Sequence, residues 1–95
     1  MKIEYDPKKS DKNARERNLP FDLVADMEWE TAHIEEDTRK EYREKRFVAC
    51  SYLFGRFHTC CFTPIAGGIR VISFRRGNQK EEKKYEKEAA DQQRG

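Results

Sequence analysis

The sequence predicts an α+β fold: an N-terminal strand and two helices packed on an antiparallel β-sheet meander, closed by a C-terminal helix. Three observations predict it. Residues 46–76 hold three strand-like runs separated by the tight-turn signals Gly55 and Gly67-Gly68. Asp6-Pro7 and Phe21 each open a stretch with helical signals. Asn78 with Glu81 is a capping-box pattern at the head of a long charged run.

The bulk numbers set the frame. A chain of 95 residues makes a single domain, spanning 1–95, around one modest core. Charged residues are 40% of it, yet 20 Lys and Arg against 18 Asp and Glu leave a net charge of only +2. A histone-like basic coat is excluded, so any anion site has to come from local clustering. The acids concentrate between Asp26 and Glu44, while cations gather at Lys8–Arg17, at Arg70–Arg76 and in the tail. That asymmetry points weakly to a nucleic acid or an acidic partner. Three cysteines and an N-terminus without an apolar core segment read as a reduced, cytoplasmic protein. No stretch has the roughly 20 apolar residues that a membrane span needs.

In chain order, Lys2–Tyr5 alternates as a short edge strand. Asp6 caps a helix with Pro7 at its first position, and Asn18 and Pro20 end it near Arg17. Ala14 is that helix's only aliphatic residue, so docking is expected through Ala14 and long side-chain stems. Phe21–Trp29 reads as a second short helix with a core face. Thr31–Glu35 follows as a strand with Ala32 and Ile34 inward, and Glu36–Lys45 as a long polar loop of the kind that is often mobile or functional. The meander strands are 46–54, 57–65 and 69–76. If both turns hold two residues, one face carries Phe47, Ala49, Ser51, Leu53, His58, Cys60, Phe62, Val71, Ser73 and Arg75. The other face carries Val48, Cys50, Tyr52, Phe54, Phe57, Thr59, Cys61, Ile72, Phe74 and Arg76. A longer second turn would swap the last strand's faces. The final helix has one docking line, Tyr85 with Ala89, and the tail from Ala89 is expected to fray.

Chemistry concentrates in Arg70–Tyr85. A strand that delivers Arg75 and Arg76 to its end, just before a helix N-terminus, suits a phosphate. The plainer reading is a solvated strand end pairing with loop acids. His58 shares its expected face with Ser51 and Arg75. It reads either as an edge histidine bonded to its surroundings or as a general acid or base. Lys80, Arg46, Arg39, Tyr42 and Tyr85 could contact phosphates or bases, or simply solubilise the loop and helix. Cys60 and Cys61 point to opposite faces and read as small buried hydrophobes; with few other soft ligands, no metal site is expected. Nothing suggests a cofactor.

The residues resemble the BrnT family of bacterial type II toxin–antitoxin systems from Tyr5 to about Glu86. Tyr5-Asp6-Pro7 with Lys9, Asn13 and Phe21 fits the family's opening pattern. Asp37-Thr38-Arg39, Tyr42, Glu44, Arg46-Phe47, Gly55-Arg56, His58 and Thr63 fit its middle. Arg70, Ser73, Arg75, Glu81 and Tyr85 fall in register with its closing motif. The chain departs at Arg17-Asn18, where the family has His-Gly, and at Gly77-Asn78, where it has Ala-Thr. The first departure puts a catalytic role for the Arg17 position in doubt; Asn keeps the capping and chain-reversal roles.

The resemblance implies a fold similar to RelE toxins and a metal-independent endoribonuclease that cleaves RNA and halts translation and growth. It also implies a BrnA-like ribbon-helix-helix antitoxin, with operator DNA bound only through that partner. His58, Arg75 and Arg76 are the expected catalytic residues, and Arg46, Lys80, Tyr85 and Arg39 the next candidates for RNA contacts. The alternative is a non-catalytic module that binds protein or nucleic acid through the acidic belt and the basic strand end.

Overall fold

The computed structural model describes residues 1–94, with side chains through Asp91. The elements run β1 (Lys2–Glu4), α1 (Pro7–Arg17), a 3-10 segment (Phe21–Asp26), a 3-10 turn (Trp29–Thr31), β2 (His33–Glu36), β3 (Phe47–Leu53), β4 (Arg56–Ile65), β5 (Gly68–Arg76) and α2 (Gln79–Arg94). One five-stranded sheet has the order β1-β5-β4-β3-β2. β2 to β5 pair antiparallel, and β1 lies parallel to β5 at the edge. No helix among the described residues is long and apolar enough to cross a membrane.

Local sequence explains most of these boundaries. Asp6 accepts the Lys8 amide at 2.9 Å, Pro7 opens α1, and Asn18 ends it in the left-handed region at φ 58°. Phe54 and Gly55 form a two-residue turn with φ 49° and 79°, as a primed hairpin turn requires. Ala66-Gly67 makes the next turn, and Gly68 must be glycine for another reason. A Cβ there would run into the Lys2 backbone where β1 pairs.

α1 docks in a way its composition does not suggest. Its buried residues are polar, Ser10 and Asn13. Ser10 Oγ accepts the Phe21 amide at 2.9 Å. Asn13 Nδ2 donates to the carbonyls of Leu19 at 2.7 Å and Phe74 at 2.9 Å. Hydrogen bonds to backbone that would otherwise be orphaned do the work expected of Ala14 and aliphatic stems.

The second helix takes a tighter form than expected. Phe21, Val24 and Met27 are the buried residues, and they recur at every third position while Ala25 and Glu28 are exposed. A repeat of 3.0 fits a 3-10 helix, in which residues three apart eclipse. The chain leaves it at Met27 in extended geometry, and the Trp29 indole donates to the Val24 carbonyl at 2.9 Å. β2 also departs from expectation: it starts at His33, and Ile34 is left 47% exposed at the sheet edge. α2 is assigned through Arg94, and Gly95, the last residue of the tail expected to fray, lies outside the described residues.

The core fills one face of the sheet. Leu19, Phe21, Val24 and Met27 pack on Ala49, Leu53, Cys60, Phe62, Val71 and Phe74. Phe62 meets Trp29 edge-on and stacks on Phe47.

The register changes one expectation that matters for function. Thr63 pairs with Arg70 and Phe62 with Val71, but Cys61 pairs with Ser73, so Ile72 is an extra residue on β5. This bulge flips every side chain after it. Phe74 therefore enters the core face, and Arg76 becomes the partner of His58. Arg75 becomes the partner of Thr59, on the opposite face. The expected sharing of one face by His58 and Arg75 is wrong. Turn length was the hazard foreseen; a mid-strand insertion was the one that operated.

Candidate functional site

The sheet face opposite the core is the one that offers a site. Val48, Cys50, Thr59, Cys61, Ser73 and Arg75 alternate onto it from three strands. The Asp37–Arg46 loop rises on one side and α2 on the other. Between them lies a cavity of about 310 Å³, lined by His33, Asp37, Arg39, Cys50, Glu81 and Tyr85 among others. A groove of about 360 Å³ borders the same loop and is lined by Lys9, Tyr42, Arg46 and Arg70.

The loop is closed by its own contacts. The Asp37 amide donates to the Arg46 carbonyl at 2.7 Å. The buried Asp37 carboxylate takes a two-pronged contact from Arg39, Nε and NH2 each at 2.9 Å, and a Tyr42 hydroxyl at 3.3 Å. These donors hold its pKa well below the usual carboxylate range, Arg39 contributing most. Arg46 lies over the Tyr42 ring, 4.1 Å from its centroid. A long loop that looked mobile is therefore pinned at both ends and carries two oriented guanidinium groups.

α2 is fixed at its start by the capping box. The Asn78 amide donates to Glu81 Oε1 and the Glu81 amide to Asn78 Oδ1, each at 2.8 Å. Glu81 also receives the Arg75 fork, NH1 at 3.0 Å and NH2 at 2.8 Å. That pairing lowers the Glu81 pKa and raises that of Arg75. Arg39 lies near enough for its charge to oppose that of Arg75. Further along, Tyr85 packs on Tyr52 and Phe57, with ring centroids 5.7 and 5.3 Å away, and donates to the Thr31 carbonyl at 2.8 Å. Tyr52 donates to Glu82 at 3.0 Å, and burial followed by that glutamate pushes its pKa up to about 12. Aromatic contacts of about 0.5–1.5 kcal/mol each outweigh exposed ion pairs in seating this helix. Gly77 makes the approach possible, because a Cβ there would strike the Phe57 ring.

The expected site residues fall into two groups. Arg39, Arg46, Arg75 and Tyr85 border the open face. His58 lies on the core side, 3% exposed, beside Phe74, with Nδ1 2.7 Å from the Arg56 carbonyl. Nδ1 is therefore the protonated nitrogen of the neutral ring. Burial lowers the His58 pKa, outweighing the carbonyl contact that raises it. Arg76 is exposed at the strand end beside His58. Lys80 is exposed on the first turn of α2 and has no hydrogen bond or ion pair among the described residues. Burial raises all three thiols, and Cys60 and Cys61 sit on opposite faces.

Two contacts were missed in the sequence. Glu81, the expected cap of α2, also clamps Arg75. Asp37 orders Arg39 and Tyr42, and Asp37-x-Arg39 is a spacing that allows such a local fork. No curated protein matches the chain. Residues 5–81 of the 95 match the family described as the ribonuclease toxin, BrnT, of type II toxin–antitoxin systems. By that match the chain belongs to the BrnT family of ribonuclease toxins.

Proposed function

We propose that this toxin cleaves RNA without a metal, on the open sheet face, by attack of the RNA's own 2′-hydroxyl on the adjacent phosphate. The observation that supports this reading best is the placement of Arg39 and Tyr85 in one cavity, with Arg75 held by Glu81 at its border and Tyr42 and Arg46 in the adjoining groove. Guanidinium forks match the equatorial oxygens of a pentacoordinate phosphate, and tyrosine rings can stack unpaired bases. Arg75 is the leading phosphate ligand. Glu81 and the Arg76 carbonyl hold its terminal nitrogens, which orients the group and leaves the Nε edge for a phosphate. Arg39 and Arg46 extend the phosphate track, and Lys80 and Arg76 add charge at the strand end.

In this reading His58 keeps a structural role. It is enclosed, its Nδ1 is committed to a backbone carbonyl, and Arg75 lies on the other side of the sheet. Catalysis rests on charge stabilisation of the transition state, with water or the RNA carrying the protons. The consequence in the cell is arrested translation and growth, relieved by a ribbon-helix-helix antitoxin.

The test is cleavage of a short RNA by the purified chain in the presence of a chelator. Products ending in 2′,3′-cyclic phosphate are expected, with no cleavage of a substrate carrying a 2′-deoxy residue at the scissile position. Loss of activity on chelation, or full activity in Arg75→Ala, overturns the proposal. A chain that binds RNA but leaves it intact and does not slow growth is the binding module instead.

A further inference from the structure

We propose that His33, Glu35 and Glu88 form a site for a divalent transition-metal ion of the zinc class, which ties α2 to the edge strand β2. His33 and Glu35 stand two apart on β2 and so project from the same face. Glu88 reaches them from the third turn of α2. One ligand atom from each lies within 4.8 Å of the other two. His33 Nε2 is 2.8 Å from Glu35 Oε1 and 3.0 Å from Glu88 Oε2.

That geometry is awkward for protons alone. Nε2 carries at most one hydrogen, and two carboxylate oxygens compete for it. The Glu35 contact satisfies hydrogen-bond geometry; Glu88 Oε2, though its side chain is 29% exposed overall, is itself buried and has no hydrogen-bond partner. Two carboxylates converging on one nitrogen repel each other, and the favourable contacts, from His33 first and then Lys84, act on Glu35. A divalent ion in place of the shared proton would satisfy all three atoms. Zinc–nitrogen and zinc–oxygen bonds of about 2.0–2.2 Å put tetrahedral ligands roughly 3.3 Å apart, close to the spacing present. One imidazole with two carboxylates suits zinc and its neighbours, whereas magnesium favours an all-oxygen shell. Three protein ligands leave one position for water.

The role is mechanical; the three ligands line the same cavity as Arg39 and Tyr85, so the test reads metal binding and melting and not cleavage. The ion would pin the second half of α2, which among apolar contacts relies on Tyr85. The experiment is titration of the full chain with zinc chloride by calorimetry, paired with thermal melts and with magnesium chloride as a control. The expected result is one saturable zinc site per chain. At about a hundredfold excess over Kd, Tm should rise on the order of 10 °C. Magnesium should produce neither effect. Glu88→Gln and Glu35→Gln should each weaken zinc binding at least about tenfold, while their metal-free melts stay near wild type. Glu35 is 55% exposed, so its variant serves if Glu88→Gln fails to fold. No saturable binding in the wild type overturns the site. So does equal binding in both variants, or binding without a rise in Tm.

Discussion

The two faces of the sheet are built on opposite rules. The core face is closed by apolar side chains and by buried hydrogen bonds from α1. The open face is roofed by a loop and a helix that meet it through aromatic rings and guanidinium–carboxylate forks. The core face contains His58 and keeps it from solvent. The open face presents Arg39, Arg46 and Arg75, each held by a neighbour: Asp37, Tyr42 and Glu81. Apolar burial closes one face, and oriented charge lines the other.

The sharpest test of that division is Arg75→Ala. It should lower RNA cleavage by about a hundredfold, the loss of one preorganised electrostatic stabiliser, and barely shift the melting curve, because the residue is exposed. A large stability loss with intact turnover would erase the contrast between the faces. Asn13→Ala should do the reverse. It strands the buried Leu19 carbonyl, leaves the Phe74 carbonyl only the longer Arg17 contact at 3.3 Å, and should cost about 1–3 kcal/mol in urea denaturation, while the folded enzyme keeps its activity.

Phe54→Asn probes the turn between the two central strands. Phe54 is 73% exposed at φ 49°, a region that disfavours bulky side chains. Asn-Gly suits that turn, and a gain of about 1 kcal/mol is expected, read as a rise in Tm of a few degrees.

The smallest effect is a pH slope. The folded pKa of His58 lies below its unfolded value, so the unfolded chain binds the extra proton first. Stability should fall as pH drops through about 6.5 and rise again as pH is restored. Urea midpoints at pH 7.5 and 5.5 measure this slope, and His58→Gln should remove it. A second loss below about pH 4.5 belongs to Asp37, Glu81 and Glu35, whose folded pKa values are depressed. His58→Gln should leave it in place.

How much of this was legible depended on the range of the interaction. Caps, turns and strand order are written in neighbouring residues, as at Asp6-Pro7, Asn18, Gly55 and Asn78-Glu81. The 3-10 segment was also legible, in the three-residue spacing of Phe21, Val24 and Met27, but that spacing was read with a helical period of 3.6. The Ile72 bulge was not: nothing in RVISFRR marks which residue will lose its partner. That single insertion decided which arginine faces the loop. The clamp on α2 was half visible, since His33 and Glu35 alternate on one strand, but Glu88 joins them only through the tertiary fold.

The parallel pairing of β1 with β5 has a consequence for how the chain comes into being. Among the described residues, Lys2–Glu4 find their strand partners at Gly68–Arg70, and Asn13 of α1 bonds the carbonyl of Phe74. On the ribosome the first strand and helix therefore wait for the last strand to emerge before the sheet can close. A nascent chain thus cannot close its sheet, or dock α1 through Asn13, until β5 has been made.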